Sequence, residues 1–183
     1  MAKLPILHDF IKERCVYTGE HTLSTGIKSD IYFDCKKITL DGEIVGYLAD
    51  AFLEMSLHLP APTAIGGLTM GADAISIAVA MRSIQIGGTI KQASIVRKEP
   101  KKYGTQNLIE NLQPHGTKIV VVDDVITSGF SANQAASEFL DAGYNVVGFM
   151  SIIDREQGGK EWLEEIFGVP VLSLFLKSDF KSL

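Results

Sequence analysis

Two adjacent carboxylates, Asp123 and Asp124, follow three valines and precede Thr127-Ser128-Gly129 in the stretch VVVDDVITSGFSA, residues 120–132. The valines predict a buried strand. The small hydroxyl residues and glycine predict a tight loop, and the stripe Ala132, Ala135, Ala136, Phe139 and Leu140 predicts a helix after it. Ser131 with Gln134 suits a capping box at the helix start, and Gly143 suits its stop. Backbone amides of a tight loop that leads into a helix suit a monophosphate. Two acids beside it would repel that phosphate, so they must face another part of the ligand. Vicinal hydroxyls fit, because each carboxylate can accept from one, and Mg²⁺ could bridge. These groups together describe a ribose 5-phosphate. An acidic strand end also occurs in P-loop proteins, but the chain has no G-x-x-x-x-G-K-[ST] and no G-x-G-x-x-G.

A second group is cationic. Arg97, Lys98, Lys101 and Lys102 fall within RKEPKK after the strand pattern QASIVRK and before Gly104-Thr105. Such a run is commonly a solvated turn. Here it could close as a lid over a polyanionic leaving group and exclude water. Gly66, Gly67 and Gly71 bracket Leu68-Thr69-Met70 and would let backbone approach an anion closely. Arg155 ends the pattern NVVGFMSIID on the same sheet edge as Asp123, where a guanidinium could hold a carboxylate bidentately. Asp154 would orient it. Tyr32 and Phe33 could wall a flat base, or simply divide between core and surface.

The elements that must position these groups alternate. Ile44, Leu48, Ala51, Phe52 and Met55 recur at helical spacing over 43–58. TAIGG (63–67) reads as a buried strand, and 72–86 as a helix buried nearly all round, stopped by Gly87-Gly88. Strands apolar on both faces, separated by helices, predict an α/β fold with a central parallel sheet covered on both sides. The first 40 residues fit this rhythm poorly and read as a small β appendage near the site.

Composition narrows the classes. With 183 residues the chain is long enough for one domain with a sizeable core. A formal net charge of −5 argues against a broad nucleic-acid surface. Cys15 and Cys35 form no zinc spacing, and no 18-residue apolar run exists. The opening MAKLPILHDFIKERC is too acidic and too short in apolar run for a secretion signal. A reducing cytoplasm, with no membrane and no nucleic-acid partner, is the expectation.

The motif at 120–132 resembles the phosphoribosyl diphosphate (PRPP) motif of type I phosphoribosyltransferases. TLSTGIKSDIYFD (22–34), IGGLTMGAD (65–73), VRKEPKKYGT (96–105) and IIDREQGG (152–159), in this order along the chain, are similar to orotate phosphoribosyltransferases. The resemblance implies a type I phosphoribosyltransferase fold in one domain, 1–183, with a small N-terminal hood from residues 1–40 and part of the C-terminal segment. It implies transfer of the phosphoribosyl group of PRPP to orotate, giving orotidine 5′-monophosphate and pyrophosphate in pyrimidine synthesis. Lys101 would be the main catalytic residue, with Asp123 and Asp124. PRPP would be bound by Arg97, Lys98, Lys101, Tyr103, Thr69, Gly71, Asp123, Asp124, Val125, Ile126, Thr127, Ser128, Gly129, Phe130 and Ser131. Orotate would meet Lys28, Tyr32, Phe33, Thr127 and Arg155. Mg²⁺ would be held mainly through PRPP, with Asp123 and Asp124 as candidate ligands. The family also implies a homodimer in which the 97–105 loop reaches the neighbouring site, and a strained peptide in the 65–73 loop.

The pattern departs from the family at several places. Tyr103 stands for a usual histidine, Phe130 for a glycine, Asn111 for a glycine and Asp30 for a frequent proline. These leave open a different base, or a non-catalytic sensor of PRPP or a nucleotide. Tyr103 removes a cation near the diphosphate, and Phe130 would narrow the phosphate pocket.

Overall fold

A computed structural model describes residues 4–22, 28–99 and 108–180. Six strands form the main sheet in the order β5-β4-β3-β6-β7-β8. They are β3 (Ala64–Leu68), β4 (Gln92–Val96), β5 (Ile109–Glu110), β6 (Lys118–Ile126), β7 (Asn145–Asp154) and β8 (Val171–Leu176). All neighbours are parallel except β5, a two-residue strand that closes one edge antiparallel to β4. The chain leaves β3 towards β4 on one side and returns as β6 on the other. The gap beyond the carboxyl ends of β3 and β6 is thus the switch point at which such sheets bind ligands.

Alternation along β6 explains the two cores. Val120 and Val122 pack with α3 (Ile44–Ser56) and α4 (Asp73–Gln85) on one face. Ile119 and Val121 pack with α5 (Phe130–Asp141) and α6 (Gly159–Phe167) on the other. The strand runs two residues past the acids, to Ile126, rather than ending on them.

Two helices differ from expectation. In α4 the buried face is Ile75, Ser76, Val79, Ala80 and Ser83, while Ile77, Met81 and Ile84 are 53%, 58% and 58% exposed. Its near-uniform apolar sequence hid which stripe faces inward, and serines take inward positions. In α5 the first helical bond runs from the Asn133 amide to Gly129 O at 2.8 Å, so the helix starts two residues before the proposed Ser131 cap. Its end is as expected: the Gly143 amide bonds Leu140 O and the Tyr144 amide bonds Phe139 O, both at 2.9 Å.

The N-terminal segment forms α1 (Leu4–Arg14), which the sequence pattern did not reveal, then an antiparallel ribbon of β1 (Val16–Thr22) and β2 (Lys28–Phe33) and the short α2 (Lys36–Thr39). Leu7 and Ile11 bury one face of α1. A 3-10 turn at Lys177–Phe180 joins this group: Phe180 stacks on His8 at 4.7 Å and meets Phe33 edge-on at 5.6 Å. No helix among the described residues is long and apolar enough to cross a membrane.

Candidate active site

Residues 123–131 line a pocket of about 400 Å³ at the switch point: Asp123, Val125, Ile126, Thr127, Ser128, Gly129, Phe130 and Ser131. The geometry of its floor follows from Gly129. At φ +80° it takes the left-handed region that glycine enters at little cost. It is also the cap residue of α5 and offers no side-chain oxygen to the first helical amides. Those amides are left for an anion. Phe130 opens the helix, is 67% exposed and lines the rim of the pocket.

Asp123 and Asp124 converge although they are neighbours on one strand. Asp123 Oδ1 accepts the Asp124 amide at 3.0 Å, and Asp124 Oδ1 accepts the Val125 amide at 2.9 Å. Both oxygens crowd Gly71. A Cβ there would lie 2.5 Å from Asp123 Oδ1 and 3.1 Å from Asp124 Oδ1, so any larger residue would push the two carboxylates aside. Burial first, and the Asp124 charge second, push the Asp123 carboxyl well above the ordinary range. Thr69, in the same turn, donates to Asp73 Oδ1 at 3.1 Å, and the Thr69–Met70 peptide is cis. The turn therefore brings backbone beside the two acids.

Lys36 Nζ lies 3.6 Å from Asp124 Oδ2. Burial lowers its pKa, but Asp124, then Tyr32 and Asp34, more than offset this and leave it raised. Nothing in the local sequence sets Lys36 apart, whereas the family resemblance points to Lys28. Lys28 pairs with Glu20 Oε1 at 2.6 Å, both side chains being well exposed.

Arg155 is 3% exposed and lies under β2. Its Nη2 donates to Ser29 Oγ and to Ile31 O, each at 2.8 Å, and its Cζ lies 5.5 Å from the Phe33 ring centre. Its amide bonds Ile126 O at 2.9 Å, which fixes it beside the 127–131 turn. Nε is buried without a hydrogen-bond partner. Burial pulls the guanidinium pKa below its usual value, with Asp30 and Tyr32 opposing. Asp154 does not orient this side chain as expected. Its Oδ1 accepts the Glu156 amide at 2.8 Å, closing the turn after β7.

The expected aromatic wall of Tyr32 and Phe33 is corrected by strand geometry. Successive side chains face opposite ways. Phe33 is 4% exposed in the core, and Tyr32 is 40% exposed, so one aromatic ring remains on the open side. Arg97 donates to Glu110 Oε1 and Glu99 O, each at 3.3 Å, and Lys98 is exposed. Lys101 and Tyr103 lie outside the described residues. Asn111 takes φ +56°, which accounts for glycine being common there, since asparagine tolerates that region. Another residue that sequence reasoning missed is Gly159. A Cβ on it would meet Thr127 O and lie 2.7 Å from Gly129 N, so the start of α6 presses on the 127–131 turn.

A larger groove of about 580 Å³ lies elsewhere, between α3 and β8, and shares none of the 123–131 residues.

Known proteins with this arrangement are plentiful. Residues 64–175 match the phosphoribosyl transferase domain family. The orotate phosphoribosyltransferase of Aquifex aeolicus is 40% identical over 172 residues, 92% of each chain. That of Streptomyces avermitilis is 38% identical over 160 residues, 87% of each. The crystal structure of Mycobacterium tuberculosis orotate phosphoribosyltransferase with Fe(III) dicitrate superimposes with a TM-score of 0.83 at 30% identity, covering 98% of this chain and 99% of that one. The same organism's enzyme in complex with PRPP gives 0.79 at 25% identity, with 98% and 92% coverage. The chain belongs to the phosphoribosyl transferase family and, within it, to the orotate phosphoribosyltransferases.

Proposed function

We propose that this chain transfers the phosphoribosyl group of PRPP to orotate, releasing pyrophosphate. The observation that carries the choice of base is Arg155, a buried cation with an unpartnered Nε beside the phosphate turn. A carboxylate on a planar base satisfies both its charge and its open donor. A purine offers none.

Each residue then has a task. The 127–131 turn and the start of α5 hold the 5-phosphate, and Asp123 and Asp124 hold the ribose hydroxyls. The Thr69–Gly71 turn, with Arg97 and Lys98, faces the diphosphate. Lys101 and Tyr103 complete a lid. Thr127 and Tyr32 border the base. The anomeric carbon passes through an oxocarbenium-like state as the bond to diphosphate breaks, so positioning and charge stabilisation supply most of the rate. Mg²⁺, when bound, neutralises diphosphate charge. Among the described residues no group of three or more metal-ligating side chains is assembled. It would be held mainly through the diphosphate oxygens of PRPP, with Asp123 and Asp124 as candidate hard oxygen donors.

The working form is a homodimer of the cytoplasm. The exposed stripe Ile77, Met81 and Ile84 on α4 supports a second copy covering that face. The direct test mixes protein, PRPP, Mg²⁺ and orotate and follows loss of orotate absorbance. Turnover is expected. Turnover with another base alone would move the assignment to that base. PRPP binding without turnover of any base would make the chain a sensor.

A further inference from the structure

The ribose-gripping acids present an electrostatic difficulty. PRPP brings a monophosphate and a diphosphate into a pocket where two carboxylates already stand side by side. On the described surface of the hood, the cation that reaches these acids is Lys36.

Its backbone is firmly placed. The Asp34 amide bonds Cys15 O at 2.9 Å, and the Ile38 and Thr39 amides bond Cys35 O at 3.0 and 2.9 Å. Cys15, Cys35, Ile38 and Thr39 are all buried. From this base the Lys36 side chain reaches Asp124 Oδ2, while Asp124 Oδ1 remains bonded to the Val125 amide and pressed towards Gly71. The carboxylate is thus held from both ends, one oxygen by its own strand and the other by the hood.

We propose that Lys36 is a positioning residue for PRPP binding: its ammonium fixes the Asp124 carboxylate and offsets the charge of the acid pair as the polyanion enters. The inference rests on the preceding reading that Asp124 grips the ribose.

The test measures PRPP affinity by calorimetry with Mg²⁺ present, for wild type, Lys36→Met, Lys36→Arg, Asp124→Asn and the Asp124→Asn/Lys36→Met double variant. Lys36→Met is expected to weaken PRPP about tenfold, and Lys36→Arg to recover affinity to within about threefold. In the Asp124→Asn background the Met substitution should matter less than about twofold, because its effect passes through Asp124. In kinetics the KM for PRPP should carry the loss, with kcat and the KM for orotate changed less than about threefold. Thermal midpoints should stay near wild type, which separates the effect from misfolding.

Affinity of Lys36→Met within twofold of wild type would overturn the inference alone. So would an undiminished tenfold effect in the Asp124→Asn background, which would mean that Lys36 touches PRPP directly. Unchanged affinity in Asp124→Asn would sink the ribose grip itself and the inference with it. Binding without orotate turnover would remove the choice of base and leave the cycle readable.

Discussion

Beside Asp123 and Asp124 two regions meet that are built in different ways. The wall proposed for the phosphate is one run of chain, 123–131, in which strand, turn and helix start follow one another. The hood wall is held to the rest by contacts between distant positions. Arg155 reaches Ser29 and Ile31, 126 and 124 residues away, and Lys177 reaches Asp30, 147 residues away. The first wall shares its backbone with the central strand of the sheet, so it is lost only when the domain unfolds. The second is assembled from residues far apart in sequence, with Ile31, Phe33 and Ile38 in the same core as α3 and β7 and the Arg155 and Lys177 contacts added at its edges. Phosphate binding and base binding should therefore be separable by mutation.

Arg155→Leu should separate them most. It removes the donor to Ser29 and Ile31 and the cation assigned to orotate. Truncating one partner of a buried charged contact costs roughly 2–5 kcal/mol, so kcat/KM for orotate should fall by about 30-fold or more. PRPP affinity, set by the other wall, should stay within about threefold. Steady-state kinetics with both substrates varied and calorimetry with PRPP decide it. An equal loss on both substrates would show that the walls are coupled.

Asp123→Asn probes the contiguous wall. The Asp123 carboxyl is raised by burial and by Asp124. A folded-state pKa above the unfolded one means that the folded protein binds the proton more tightly. Stability of the ligand-free protein then falls as pH rises from the ordinary carboxylate range through the raised value. The asparagine variant escapes this. Its midpoint at pH 7 should exceed wild type by about 2–4 °C, what ~1 kcal/mol is worth in a chain of this length. The gap should close as pH approaches 4, while turnover is lost at every pH. Thermal unfolding from pH 4 to 8 reads the slope, and a gap that widens on acidification would contradict the assignment.

The same contrast explains what the sequence made legible. VVVDD disclosed a central strand because both its faces are buried, and the Thr-Ser-Gly run disclosed a tight turn because its chemistry is local. The start of α5 was misplaced by two residues, since Ser131 looks like a cap while Gly129 fills that role through its backbone alone. The hood was read poorly. Lys28 and Lys36 look equally plausible in sequence, and only the fold of the ribbon pairs one with Glu20 and brings the other to Asp124. The burial of Arg155 under β2 is likewise a tertiary fact. No spacing in IIDREQGG announces that Ser29 and Ile31 will receive its guanidinium.

The smallest effect belongs to the outer latch of the hood. Asp30 accepts from Lys177 Nζ at 2.9 Å, and that bond is the main cause of its lowered pKa. A depressed folded-state value means stability present above the ordinary carboxylate range and lost as pH falls through the depressed one. Exposed pairs contribute little, and Asp30 is open to water. Asp30→Asn should therefore lower the midpoint at pH 7 by only about 1–2 °C, and the difference should vanish on acidification. Hydrogen exchange over Lys28–Phe33 is the sharper reading, because it reports the ribbon directly. Arg155→Leu should speed exchange there far more than Asp30→Asn does. If the two variants accelerate it equally, the hood is held from the chain's end as much as from β7, and base binding would then depend on the Lys177–Phe180 turn as well as on Arg155.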